Sequence, residues 1–265
     1  SLYQNTTGGH NIAVGMQAMY NTTTGLYNVA VGNYSNDANT TGENNVSLGY
    51  ASLSSNTTAG NNVAVGASAL QNNTTGAQNV AVGRYSGYSQ TTPSYNTFVG
   101  NSSAYTLTTA QYCTAIGDRS MAGAALTGNE NIAVGHWTCY DMTSGAYNVA
   151  MGNSTLGNCT TGSNNTAIGR IACHDLTTAS QVTAVGHNAL HGLTTGSYVT
   201  AIGAFAGSSQ TTGVDGVYIG RDCGENVGTN GEVMIFNGTN TARFQGSDTS
   251  WSITSDGRDK TDYQD

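Results

Sequence analysis

Charge, proline and long apolar runs are what this sequence has least of. Only 8% of its 265 residues are charged, against about a quarter in ordinary globular domains, and proline occurs once, at Pro93. Seven Lys plus Arg stand against fifteen Asp plus Glu, a formal net charge of −8. That balance argues against a nucleic-acid partner held through its phosphates. No stretch is apolar enough to span a membrane or reads as a signal peptide, so no membrane insertion is expected. The chain opens at Ser1 in mid-repeat, and a further portion is expected upstream. No Ser/His/Asp order, phosphate-binding glycine motif or carboxylate pair suggests an enzyme or a cofactor, and none is expected. No segment carries an amphipathic helix pattern.

The cysteines are five, Cys113, Cys139, Cys159, Cys173 and Cys223. An odd count at irregular spacing is neither a disulfide framework nor a zinc motif. These residues read as small apolar fillers, and free thiols suit assembly in a reducing cytoplasm.

Gly, Asn, Thr, Ser and Ala fill most of the chain, a composition compatible with disorder. Periodicity excludes that reading. Strands such as Asn28-Val29-Ala30-Val31-Gly32 and Asn62-Val63-Ala64-Val65-Gly66 recur, and their closing glycines are Gly15, Gly32, Gly49, Gly66, Gly83, Gly100, Gly117, Gly135, Gly152, Gly169, Gly186, Gly203 and Gly220. Every step between them is seventeen residues except Gly117 to Gly135, which is eighteen. A fixed short period means a solenoid in which each unit packs only on its neighbours.

The columns of the repeat define the unit. Just before each marker glycine stands an apolar residue: Val14, Val31, Leu48, Val65, Val82, Val99, Ile116, Val134, Met151, Ile168, Val185, Ile202 and Ile219. This column is expected to be the repeat core. Two positions earlier the residue is always Val, Ile or Thr, and between them sits a small residue, usually Ala. β-branched residues at a spacing of two make a short strand, and one apolar or small on both sides is expected to be buried on both faces. Asn-Thr-Thr-Gly stretches such as Asn39 to Gly42 read as turns whose glycine supplies a positive φ. A second short strand is expected after the marker glycine, with a small residue three positions on. The fold expected is thus all-β, a parallel β-roll or β-helix of thirteen seventeen-residue coils. At about 4.8 Å per coil it would be a rod of about 60 Å. So thin a core is hard to stabilise alone, which points to association through one wall, as a homotrimer.

The Asn-Val-Ala-Val-Gly strand with its Asn-Thr-Thr-Gly turn resembles the head repeat of trimeric autotransporter adhesins, and matching repeats of bacteriophage tail fibres. The resemblance covers about residues 3–220 and implies a left-handed β-roll with three chains to a bundle. Past Gly220 the period breaks into strand-like Glu232–Phe236, Thr241–Phe244 and Trp251–Thr254. The following Ser255-Asp256-Gly257-Arg258-Asp259-Lys260 is similar to the start of the endosialidase-type intramolecular chaperone that ends phage tailspikes and fibres. That resemblance implies self-cleavage with Ser255 as nucleophile and Lys260 as its base. Asp259 stands where that family has leucine. The organisation expected is a β-coil array over 1–220, a short β-rich cap or linker over 221–254, and the start of a chaperone over 255–265.

Three functions compete at this stage. A phage tail fibre or other virion appendage would bind a host cell-surface glycan or protein receptor, with tyrosines such as Tyr27, Tyr95, Tyr147 and Tyr198 as stacking platforms for sugars. A bacterial surface adhesin or extracellular filament is the alternative, although no heptads of a stalk are visible. An ice- or crystal-binding face is the third, because Thr-Thr pairs recur at regular spacing. No metal is expected. His136 and His187 share the column after the marker glycine and are the pair that could meet on a trimer axis.

Overall fold

The computed structural model describes residues 1–224, 230–239 and 241–244, and the backbone of 252–254. Ser255 and Lys260 lie outside the described residues. Among the described residues there is no helix, and the fold is an all-β solenoid of thirteen coils at the seventeen-residue spacing. The chain forms two compact units, Ser1–Asn148 and Val149–Asp265.

The first unit carries eight three-residue strands: β1 Ile12–Val14, β2 Val29–Val31, β3 Val46–Leu48, β4 Val63–Val65, β5 Val80–Val82, β6 Thr97–Val99, β7 Thr114–Ile116 and β8 Ile132–Val134. Each pairs in parallel with the next, column on column: Ala13 faces Ala30, and Phe98 faces Ala115. The second unit repeats the pattern with β9 Val149–Met151, β10 Thr166–Ile168, β11 Thr183–Val185, β12 Thr200–Ile202 and β13 Val217–Ile219. There β14 (Val233–Phe236) continues the parallel ladder beside β13, and β15 (Thr241–Phe244) and β16 (Ser252–Thr254) turn antiparallel. Buried Glu232, just before β14, pairs with Arg243 of β15.

The strand faces differ from the expectation. The small middle residue points into the coil and is fully buried, as at Ala30, Ala64, Ala81 and Ala201. The column from Val14 to Ile219, expected as the core, points outward; Leu48 is 37% exposed and Ile202 44%. Successive side chains of a strand alternate between faces, so in a three-residue strand only the middle one enters, and it is small where a leucine fills the coil beside it. The two flanking columns together make an outward β-branched face on each unit.

The second strand expected after the marker glycine does not form. Residues two and four places past the glycine are left-handed, as at Tyr34 (φ 58°) and Asn36 (φ 51°), or Ser68 (φ 58°) and Leu70 (φ 49°). Such angles are costly for residues with a Cβ, and the stack holds them. The Tyr34 N–H donates to the Met16 carbonyl (2.9 Å), and the Leu70 N–H to the Ser86 carbonyl (2.9 Å). The Asn-Thr-Thr-Gly turn also differs: Gly42 and Gly76 are not left-handed, and Ala59, Pro93 and Ala110 occupy the same column. The marker glycine is the one whose backbone demands it. At Gly49 φ is 133°, and a Cβ would lie 2.6 Å from the Gly66 carbonyl oxygen of the next coil.

Inside each coil, volumes trade off. Leu53 and Leu70, four places after their glycines, accompany Ala64 and Ala81 in the strands, all fully buried. In the coil holding Phe98, the Leu position is Gly87; in that holding Tyr218, it is Gly207. A Cβ on Gly87 would lie 2.8 Å from the Phe98 ring, so the aromatic takes the space that leucine fills elsewhere. Where the position is Ala104, Leu107 fills the coil instead.

Much of the remaining interior is polar, and its asparagine ladder is satisfied along the stack, whereas the buried Thr22 hydroxyl and Asn36 amide have no hydrogen-bond partner. Asn45 accepts the Asn62 N–H on Oδ1 (3.0 Å) and donates Nδ2 to the Ala59 carbonyl (2.9 Å). The Asn28, Asn62, Asn79 and Asn96 side chains act alike. Thr23, Thr40, Thr57 and Thr74 donate their hydroxyls to the threonine carbonyl one coil on. A buried polar group so paired carries little desolvation cost.

Candidate functional site

In-register stacking turns any residue repeated at seventeen into a ladder with the spacing of a β-sheet, close to the thickness of stacked rings. Aromatic residues exploit this on the outside. Tyr3 stacks on Tyr20, His10 on Tyr27, Tyr88 on Tyr105 and Tyr95 on Tyr112, with centroids 5.0–5.1 Å apart and planes within 8°. Tyr27, Tyr95, Tyr147 and Tyr198 share one position of the repeat, twelve places past a marker glycine, and all four are exposed and left-handed.

A groove lies elsewhere in the first unit. Tyr85, Ser102 and Arg119 occupy the second position past successive marker glycines, and Tyr105, Ala122 and Tyr140 the fifth. With Thr106 they line a groove of about 530 Å³. Ser102 and Ala122 are the small residues that open it between the rings. Tyr85 meets Tyr88 and Tyr105 edge-on (5.5 and 5.9 Å), and the Arg84 guanidinium lies 4.4 Å over the Tyr85 ring while donating to its hydroxyl. Trp137 extends the aromatic wall 5.7 Å from Tyr140. At Gly123 a Cβ would come within 2.5 Å of the Tyr140 ring, so this glycine lets the ring lie down. Gly123 and Ala122 belong to the single eighteen-residue coil. Its extra turn length runs alongside the groove, where the Thr106 hydroxyl donates to the Ala124 carbonyl.

Arg119 is exposed and makes no ion pair among the described residues. The groove therefore presents flat aromatic faces, hydroxyls from Ser102, Thr106 and the tyrosines, and one guanidinium free to donate. Nothing in it resembles a nucleophile with its base.

No family model, curated protein or solved structure matches this chain. The site is thus read from its own chemistry.

The other singled-out residues fall as follows. His136 lies 3.4 Å from Asp118 and stacks on Trp137, whereas His187 meets the Arg170 guanidinium (3.1 Å) and the edge of Phe205. The five cysteines are buried and form no disulfide with one another. Burial pushes the Cys113 thiol up to about 11 and that of Cys159 up to about 12, so both stay protonated and unreactive. The first threonine of a pair donates its hydroxyl to the ladder, as at Thr40 and Thr57, and the second, as at Thr41 and Thr58, is exposed. The sequence reading missed the groove, although the one eighteen-residue step marked its coil. It also missed His174, Asp175 and His191, which come together on the second unit; their signal was a histidine repeated at the exact period beside an acid.

Proposed function

We propose that this chain is a structural and adhesive segment of a fibre, part of a phage tail fibre or virion appendage, that attaches to a glycan of the host cell surface. The aromatic groove at Tyr85, Tyr105 and Tyr140 carries the reading. Pyranose rings expose patches of C–H bonds that pack on the electron-rich face of an aromatic ring. Their hydroxyls need donors and acceptors at the rim, and Arg119, Ser102 and Thr106 supply them. A concave site of aromatic faces with a few polar groups is how small ligands are held on rigid scaffolds.

Assembly is proposed as a homotrimer through the outward β-branched face. On each unit that face presents two neighbouring columns of Val, Ile and Thr, joined by Leu48 on the first unit and Met151 on the second, with no charge in them, a surface of the kind that marks an interaction site. A second and a third copy of the chain offer the same face, and a closed bundle covers all of them.

The test pairs a glycan array with light scattering. Wild-type protein should scatter as a trimer and bind a restricted set of glycans, with Tyr105→Ala and Tyr140→Ala each reducing binding at least tenfold at unchanged mass. A monomeric mass would overturn the assembly. Absence of any glycan binding, or binding indifferent to both substitutions, would overturn the attachment site.

A further inference from the structure

The second unit holds a cluster the groove does not explain. His174 and Asp175 stand five and six places past Gly169, and His191 stands five past Gly186. Because β10 and β11 pair in register, the two imidazoles stack, with centroids 5.7 Å apart and planes within 9°. Asp175 reaches between them: Oδ1 lies 2.8 Å from Nδ1 of His174, and Oδ2 lies 3.7 Å from Nδ1 of His191. One ligand atom from each residue falls within a span of 4.8 Å, and all three side chains are half-buried.

The surroundings hold this arrangement in place. From the preceding coil, Asn158 Nδ2 donates to Asp175 Oδ1 at 3.2 Å. The Asn158 N–H bonds the His174 carbonyl, and the Asp175 N–H bonds the His191 carbonyl, both at 3.0 Å, so three coils are clamped in register here. Gly157 stands one coil before His174 in the same column, and a Cβ there would lie 3.0 Å from His174 Cδ2, so the glycine makes room for the ring. Among the described residues Asp175 forms its ion pairs with His174 and His191 and with no lysine or arginine.

We propose that His174, Asp175 and His191 bind one divalent transition-metal ion, of which zinc is the representative, as a clip between consecutive coils. Two imidazole nitrogens and one carboxylate oxygen suit borderline ions, whereas calcium and magnesium require mostly oxygen ligands. Around an ion with bonds of about 2.0–2.1 Å, neighbouring ligand atoms stand roughly 3.3 Å apart. Small rotations of three partly exposed side chains close the present span to that value. The remaining positions on the ion face solvent and take water.

The test uses the whole, untagged chain dialysed against a chelator and titrated calorimetrically with zinc chloride. One zinc per chain is expected, with affinity reduced at least tenfold by His191→Ala and by Asp175→Asn, which keeps the shape and the bond from Asn158. His187→Ala, outside the cluster, should leave it unchanged. The thermal midpoint should rise with zinc and return with chelator, and His191→Ala should abolish that response. No saturable binding, undiminished affinity in a His174→Ala/His191→Ala double variant, or displacement of zinc by millimolar calcium would each overturn the site. Zinc binding without a rise in the midpoint would overturn the clip.

Discussion

Replacing Phe98 by alanine should empty a space that nothing else in its coil can fill. Gly87 offers no side chain on the opposite wall, and both residues are fully enclosed. Loss of a buried phenylalanine costs about 3–5 kcal/mol, the deleted contacts and the residual cavity together. Gly87→Leu alone should also destabilise, by about 1–3 kcal/mol, because its Cβ would begin 2.8 Å from both Phe98 and Leu70. The double variant is the informative one. It restores the Leu/Ala pair of the two preceding coils, where Leu53 (φ 55°) and Leu70 (φ 49°) already hold the left-handed backbone that Gly87 has at 63°. Its cost should fall to under about 1.5 kcal/mol. The coupling between the two sites should then be at least about 2.5 kcal/mol, at or above the upper end of what neighbouring residues show. Urea denaturation followed by far-ultraviolet circular dichroism measures all four corners of the cycle. A double variant as unstable as the sum of its singles would refute the idea that each coil holds a fixed volume shared among its inward positions.

Two further outcomes follow from the same interior. Asn45→Ala should cost about 1–3 kcal/mol in denaturant titrations, since it strands the buried Asn62 N–H while the Ala59 carbonyl keeps its bond from Asn56 Nδ2 (3.1 Å); a cost under about 0.5 kcal/mol would mean that water replaces the amide. Stability should also decline in alkali. Folding raises the Cys113 and Cys159 thiols from 9.0 to about 11 and about 12, so above pH 9 the unfolded chain releases protons that the folded chain keeps. Their stabilising contribution is full below pH 9 and is lost as pH rises through the folded values, at up to about 1.4 kcal/mol per thiol per pH unit. Cys159→Ala should flatten the profile between pH 9 and 11, and an unchanged slope would contradict the assignment.

The number, spacing and type of the coils were legible in the sequence because glycine at the marker position is a hard steric requirement. At Gly49 a Cβ meets the neighbouring backbone, so the residue survives in every copy as a visible period. The direction of the strand side chains was not legible. Ranking residues by hydrophobicity places Val31 and Leu48 inside, whereas the alternation of faces along each strand turns only Ala30 and Ser47 inward. Nor was the segment after the glycine, because left-handed backbone at Met19, Leu53 or Leu70 leaves no compositional mark. Those angles are set by hydrogen bonds to the coils above and below, which a single repeat does not contain. The groove was half legible. The eighteen-residue step stood out, but Tyr85, Arg119, Tyr105 and Tyr140 become one surface only when two columns are laid side by side. The proposed roles of Ser255 and Lys260 rest on resemblance alone, since both lie outside the described residues.

The long coil next to the groove has a consequence for how such a surface changes over time. Its extra residue leaves the strands in phase: Thr114 still faces Ile132, and Ala115 still faces Ala133. Phase is therefore restored at each rung by the strand and its glycine, not carried forward as a running count of residues. Length added to the outer turn of one coil is forgotten by the next. A chain built this way can lengthen, shorten or re-letter a single turn and so redraw its contact surface, while the rungs on either side keep their alignment.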